Sequence, residues 1–379
     1  MSTDFPFCLR MALGLSVLVV STGMGAEAAR AAAARDAAEV QLIGRAEHSA
    51  AERSAGVWQV TWPGVGWRAA FSGSRVGVTT QDSVAYAVTI DGLRMNPIPP
   101  SQTRNTTWYR GLAAGNHTIE VIRMRATPRA PGLFFGFSKG ADGRWLALPP
   151  KPGRQIEFIA DSASTGYGDL STTVDCTDDE VASRSDASQS YAIVAAHMLH
   201  ADWQLNAMDG IGLVRNWRGI WRGTDYSTYA SRTLQSEPTP IYAAAHWHPQ
   251  VAVVAIGFND LATPLGADEA WTDASLRLAL TSAYHSLLSG LRQQLGPQAL
   301  LVNMTDPPSN NPGNEIFAAQ VEAQRSAGDQ RIFVLPMPAL EHTGCFWHPS
   351  LASHRELGAL LAGFIEEHGG FAGPGANAH

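Results

Sequence analysis

Cysteine is scarce in this 379-residue chain, which has only three: Cys8, Cys176 and Cys345. Charge is also sparse, at 16% of residues, and there is no basic excess, the net charge being -7. That balance gives no electrostatic reason to bind nucleic acid or an anionic membrane, and a neutral or weakly charged ligand fits better. No apolar run is long enough to span a bilayer, which takes about 20 residues. Internal repeats are missing too. What remains is a hydrophobic content of 45%, that of a globular protein, in a chain longer than one typical domain.

The first residues have the form of an export signal. Arg10 precedes the apolar run Met11 to Val20, and Ala26-Glu27-Ala28 supplies small residues at the spacing a signal peptidase reads. Cleavage after Ala28 predicts a secreted or periplasmic protein and removes Cys8. The two cysteines that stay, Cys176 and Cys345, can form one disulfide or stand as separate buried thiols, and sequence does not decide between them.

An Ala-rich stretch, 29–39, leads into a segment from 40 to 149 made of short β-rich runs. Val57 to Trp62, Trp67 to Phe71, Val76 to Thr80, Ala85 to Ile90, Thr107 to Arg110, His117 to Arg123 and Leu133 to Phe137 read as strands, with Asp91-Gly92 and Ala114-Gly115-Asn116 as turns. That density of short strands predicts an antiparallel sandwich, jelly-roll-like. Asn105 and Asn116 begin glycosylation sequons, which mark only loops able to be exposed.

Pro149-Pro150-Lys151-Pro152-Gly153 is a stiff break, and the pattern changes after it. Strands are expected at Ile156 to Ile159, Ala201 to Met208, Val251 to Ile256, Ala299 to Met304 and Ile332 to Leu335. Helices are expected at Tyr191 to Leu199, from Leu276 to Leu295, at Glu315 to Ala327 and at Leu357 to Glu367, with a polar loop over Ser171 to Gln189. Alternation of this kind predicts an α/β domain over 150–370, a parallel sheet with helices on both sides, followed by a short tail, 371–379.

Chemistry-bearing residues fall at the ends of these strands. Ser162 follows the strand Ile156 to Ile159, at the sheet edge where open α/β folds bind ligands; a helix-capping serine is the alternative. Gly210-Ile211-Gly212 follows the second strand, Gly257-Phe258-Asn259-Asp260 the third, and Trp347-His348-Pro349 precedes the last helix. A serine is a poor nucleophile unless a base takes its proton and donors meet the oxyanion. His348 can be that base, and the N–H groups of Ser162 and Gly210 with the Asn259 amide can be the oxyanion hole. His246 and His248 form an HxH, but no third ligand accompanies them at a recognisable spacing and a structural role is favoured; no metal or organic cofactor is expected. Asp161 and Asp260 fit loop bracing better than acid catalysis, and His354 reads as a helix-start residue. Trp347 and Trp217 can stack on a sugar face, with core packing as the alternative for Trp217.

In these blocks the sequence resembles the SGNH (GDSL-type) hydrolases: ADS at Ala160 to Ser162, Gly210, GFND at Gly257 to Asp260, and WHP at Trp347 to Pro349. The longer strings IEFIADSASTGYGD from Ile156, DGIGLVRNW from Asp209 and GCFWHPSLASH from Gly344, behind a β-sandwich, resemble carbohydrate esterase family 2. The resemblance implies a secreted acetyl esterase acting on polysaccharides such as acetylated xylan or mannan, with Ser162 as nucleophile, His348 as base, and Gly210 and Asn259 as oxyanion donors. It implies an acetylated carbohydrate as partner, with neither nucleic acid nor membrane. No GxSxG elbow is present, which disfavours the α/β-hydrolase fold. Two positions depart from the family pattern. Ala160 stands where a glycine is usual, and Phe346 stands where many relatives carry the aspartate that orients the histidine. The second departure leaves a Ser-His dyad with a backbone carbonyl on Nδ1, or a substitute such as Glu341. Rival readings are an esterase for another acylated glycan and a catalytically weak glycan-binding protein.

Overall fold

A computed structural model describes residues 38–48, 56–243, 246–307 and 311–371. The expected export signal and most of the Ala-rich stretch lie outside the described residues, as does the tail beyond 371.

The first half is built from strands β1 (Gln41–Ile43), β2 (Glu47–His48), β3 (Trp58–Val60), β4 (Gly66–Ser72), β5 (Arg75–Asp82), β6 (Tyr86–Ile90), β7 (Leu93–Arg94), β8 (Ser101–Arg110), β9 (Asn116–Arg123), β10 (Gly132–Lys139) and β11 (Arg144–Leu146). They form two antiparallel sheets, one ordered β1-β4-β9-β6-β7 with β11 also on β4, the other β2-β3-β10-β5-β8. Alternating apolar residues close the space between them: Trp67 of one sheet stacks on Phe134 of the other at 4.0 Å. The expected sandwich is therefore present. Four of its short members, β1, β2, β7 and β11, carry too few residues for a period-two pattern to register, and the sequence pattern does not show them.

In the second half, β12 (Gln155–Ala160), β13 (Asp202–Ala207), β14 (Val251–Ala255), β15 (Leu300–Thr305) and β16 (Ile332–Pro336) make an all-parallel sheet in the order β13-β12-β14-β15-β16. The helices are α1 (Asp178–Ser183), α2 (Tyr191–Met198), α3 (Tyr226–Ala230), α4 (Asp273–Leu295), α5 (Asn314–Ser326) and α6 (Leu351–Glu367). Every residue of β14 is buried, as expected for a central strand covered on both faces. Ile156, Phe158, Val251 and Val253 share one apolar cluster with Tyr191 of α2 and Leu357 of α6. Ile159, Ala252 and Val254 share the other with Leu280 and Tyr284 of α4 and Phe317 of α5. The strand order reverses between β12 and β14, and the cleft above such a reversal is where this architecture holds ligands.

Helix α1 and the start of helix α6 differ from expectation for local reasons. Helix α1 interrupts what reads as a polar loop, because Thr177 and Glu180 form a reciprocal capping box that a hydrophobic pattern does not register. Helix α6 begins at Leu351 rather than Leu357, since Ser350 caps the amide of Ser353 directly after Pro349.

Sandwich and sheet are joined by polar contacts as well as apolar ones. The Trp62 indole donates to the Thr233 carbonyl at 3.0 Å and the Trp203 indole to that of Gly64 at 2.9 Å. Arg45, between β1 and β2, reaches Glu157 of β12 at 3.1 Å, and both side chains are buried. Arg94 of β7 pairs with the buried Asp186.

Candidate active site

Ser162 opens a short 3-10 turn at the end of β12, with Asp161 capping that turn by accepting from the Ala163 amide. Beyond the turn the chain must fold back tightly. A Cβ at Gly168 would lie 2.3 Å from the Cβ of Cys345, so only glycine lets the two loops touch. The Cys345 amide donates to the Gly168 carbonyl at 3.1 Å, and Cys345 is disulfide-bonded to Cys176 across a sequence separation of 169. Of the two readings left open for these cysteines, pairing is the one found.

This clamp brings His348 to Ser162. Nε2 of His348 lies 2.9 Å from Ser162 Oγ, and Nδ1 lies 2.9 Å from the carbonyl oxygen of Cys345. The carbonyl can only accept, so Nδ1 carries the proton and Nε2 is free to accept the serine hydroxyl. Glu341 is engaged elsewhere, its carboxylate accepting from the Ser350 hydroxyl at 3.4 Å. Burial lowers the His348 pKa below its ordinary 6.5, against the opposing pull of the Cys345 carbonyl and the charge of Asp209. The imidazole is therefore neutral and basic at pH 7. Phe346 and Trp347, just before it, both hold positive φ, 53° and 63°, a conformation bulky residues rarely accept outside functional sites.

The loop after β13 supplies the second wall. Gly210 has φ of 72°, and its N–H meets no acceptor among the described residues. Asp260 holds this loop by accepting the amides of Leu213, Val214 and Arg215 at 2.7–2.9 Å. Burial pushes the Asp260 pKa up to about 6, despite those amides. Asn259 donates from Nδ2 to the Ile211 carbonyl at 2.8 Å and, more loosely, to Asp161 Oδ2 at 3.2 Å. Burial raises the Asp161 pKa to about 8. Both aspartates thus brace loops, as the sequence suggested.

Apolar side chains rim the opening. Trp347 is 71% exposed and Trp217 41%, with Phe346, Ile220 and Trp221 also exposed, so Trp217 is not packed in the core. A Cβ on Gly210 would meet Trp217, Ile220 and Trp221 at 3.8–3.9 Å. The structure also adds residues that sequence reasoning passed over. The Tyr167 ring centroid lies 4.5 Å from that of His348; its placement between Gly166 and Gly168 was the available signal. Asp209 accepts the Thr165 hydroxyl at 2.6 Å, and nothing in its sequence context set it apart. His354 is buried in the first turn of α6, with Nδ1 accepting the Tyr191 amide at 3.2 Å. No cluster of metal-ligating side chains occurs among the described residues.

Fold and site together resemble those of SGNH-type hydrolases. Residues 42–149 match the family model described as "Carbohydrate esterase 2 N-terminal". An acetylxylan esterase / glucomannan deacetylase of Cellvibrio japonicus is 29% identical over 310 residues, 81% of this chain and 85% of that protein. The cellulase/esterase CelE of Acetivibrio thermocellus is 27% identical over 80% of this chain and 37% of its own length. Among solved structures, a family two carbohydrate esterase from Clostridium thermocellum in complex with cellohexaose superposes with a TM-score of 0.77 at 25% identity, covering 88% of this chain and 100% of that one. The chain is a carboxylic ester hydrolase similar in sequence and fold to the family 2 carbohydrate esterases.

Proposed function

We propose that this protein is a secreted carbohydrate acetyl esterase that removes O-acetyl groups from acetylated xylan or mannan by a Ser-His mechanism. The observation that carries this reading is the 2.9 Å contact between Ser162 Oγ and a His348 whose other nitrogen is held by a main-chain carbonyl. In the reaction Ser162 Oγ attacks the acetyl carbonyl while Nε2 of His348 takes its proton. The oxyanion is met by the N–H groups of Ser162 and Gly210 and by the Asn259 amide, whose looser bond to Asp161 is the one it exchanges. Protonated His348 then returns its proton to the departing sugar oxygen. Water, activated by the same imidazole, attacks the acetyl-enzyme and releases acetate. The Cys345 carbonyl does the orienting that a carboxylate does elsewhere, and it offers the imidazolium a dipole in place of a full charge.

Substrate and compartment have separate support. The exposed Trp217, Trp221 and Trp347 offer flat apolar faces of the kind that pack against sugar rings, and the relatives above are named for xylan and glucomannan. The Cys176–Cys345 disulfide suits an oxidising compartment outside the cytosol.

The test is acetate release from a panel of acetylated xylan, glucomannan and cellulose oligosaccharides by wild type and Ser162→Ala. Release from xylan or glucomannan that falls by about 1,000-fold or more in the variant is the expected result. Equal activity of the two proteins would end the mechanism, and an inert wild type would end the substrate assignment.

A further inference from the structure

Beside the rim of the hydrolytic centre lies a cavity of about 400 Å³, enclosed by the loop 214–225 that follows β13 and by residues 268–271, which lead into α4. That volume is within the range of small-molecule sites, about 300–1,000 Å³. Neither Ser162 nor His348 lines it. It adjoins the reacting centre all the same, because Ile220 and Trp221 belong to both: they line the cavity, and their side chains come within 3.8 and 3.9 Å of where a Cβ on Gly210 would lie.

Both walls are fixed in place. Asn216 accepts the Gly212 amide at 2.9 Å and donates to the carbonyls of Ile220 and Thr224 at 3.0 and 2.8 Å, which closes the loop on itself. Glu269 takes Arg215 through both carboxylate oxygens, at 2.6 and 2.8 Å, and ties the opposite wall to the same loop. Within this frame Arg218 and Trp221 hold left-handed backbone, with φ of 55° and 51°, a conformation that for bulky residues clusters at ligand sites. Trp221 stays 40% exposed, so the strain presents its ring and does not bury it. A preformed cavity binds without the ordering cost of closing a loop.

The lining narrows the ligand. Trp221 and Trp271 supply flat apolar faces, while Arg222 and Asp268, paired at 2.6 Å, keep side-chain exposures of 56% and 76%. A pair so open to solvent can share its N–H groups and carboxylate oxygens with entering hydroxyls. Arg215 is answered by Glu269, Arg222 by Asp268, and Asp225 caps α3, so no uncompensated charge awaits an ionic ligand. Aromatic faces beside accessible donors and acceptors suit a neutral, polyhydroxylated ring. Resting on the reading of the Ser162 centre as a carbohydrate esterase, we propose that this cavity is a subsite for the sugar residue next to the acetylated one. Trp221, Arg222 and Trp271 then make the enzyme prefer glycan chains to single sugars: the acetylated residue sits at Ser162 and Gly210, the chain passes Ile220, and its neighbour packs on Trp271.

The test compares acetylated xylose and mannose, the corresponding acetylated trisaccharides, and 4-nitrophenyl acetate as substrates of the full chain. In wild type kcat/KM is expected to be about tenfold or more higher for a trisaccharide than for its single sugar. Trp271→Ala removes an aromatic face, and Ala270→Trp fills the cavity from an exposed position. Each is expected to raise KM for the trisaccharide by about tenfold with kcat unchanged, and to leave the single sugars and 4-nitrophenyl acetate as in wild type. Thermal melting checks that the variants fold. The proposal is overturned if wild type does not favour the trisaccharide, if KM stays put in both folded variants, or if 4-nitrophenyl acetate suffers as much as the trisaccharide. A wild type that turns over 4-nitrophenyl acetate but no acetylated sugar would overturn the carbohydrate reading itself, and this proposal with it.

Discussion

The Nδ1–H of His348 donates to the carbonyl oxygen of Cys345 at 2.9 Å, and Cys345 is the half-cystine that ties this loop to Cys176. The orientation of the base therefore rests on main chain, not on a carboxylate. A carbonyl cannot titrate, so the base has one protonation event to report.

That event sets the pH dependence. Burial puts the His348 pKa below 6.5, and the reactive form is the neutral one. A lowered pKa keeps that form present into more acidic solution, so kcat/KM is expected to decline only below pH 6.5, as pH falls through the lowered value. Phe346→Asp places a carboxylate beside the ring at a position whose φ of 53° an aspartate tolerates. It should move the acidic limb upward by about one unit. A pH-rate profile of the two proteins checks this; coincident limbs would show that the side chain at 346 does not face the imidazole.

Asn259→Ala removes the amide that spans Ile211 and Asp161. The expected loss is about 100- to 1,000-fold in kcat with KM little changed, since an oxyanion donor acts mainly in the transition state. Steady-state kinetics separate this from a structural role, which would change KM and the melting temperature together.

Cys176→Ser opens the clamp on the histidine loop. For a pairing across 169 residues the cost to stability should be about 2–5 kcal/mol, measured by urea unfolding. Hydrolysis should fall in kcat as well, because the Cys345 carbonyl loses its fixed position. A stable but fully active variant would show that Gly168 and the surrounding hydrogen bonds suffice.

His354 supplies an acid-sensitive element away from the site. Burial lowers its pKa from 6.5 to about 3, so the unfolded chain binds the proton first. Its contribution is complete above pH 6.5 and is lost as pH falls toward 3, at about 1.4 kcal/mol per unit. His354→Asn, which keeps an acceptor for the Tyr191 amide, should show a shallower loss of unfolding free energy over that window.

The parallel sheet was readable because runs such as Val251 to Ala255 are apolar throughout, and the long α4 because its leucines recur at helical spacing. Ser162, Gly210, Asn259 and His348 stood out for a related reason: each lies just after a strand or just before the last helix, in a short stretch that also carries a glycine or proline. A main-chain carbonyl on His348 Nδ1 was one of the two readings the sequence left open, but that it is the carbonyl of Cys345 was not legible, since main chain leaves no residue type to read. Tyr167 and Asp209 were missed because their roles depend on which loops meet, and that is set by contacts such as Gly168 against Cys345. The disulfide was undecidable for the same reason.

Arg45 meets Glu157 inside the protein, one from each half. A version of the chain cut at the Pro149-Pro150 linker would leave the buried Glu157 without its cation, and removing one partner of such a pair costs about 3–5 kcal/mol. Grafting the parallel-sheet half onto a different partner would require replacing both residues together. In that respect the sandwich is less an appendage than a missing wall of the enzyme, and the two halves are constrained to change in step.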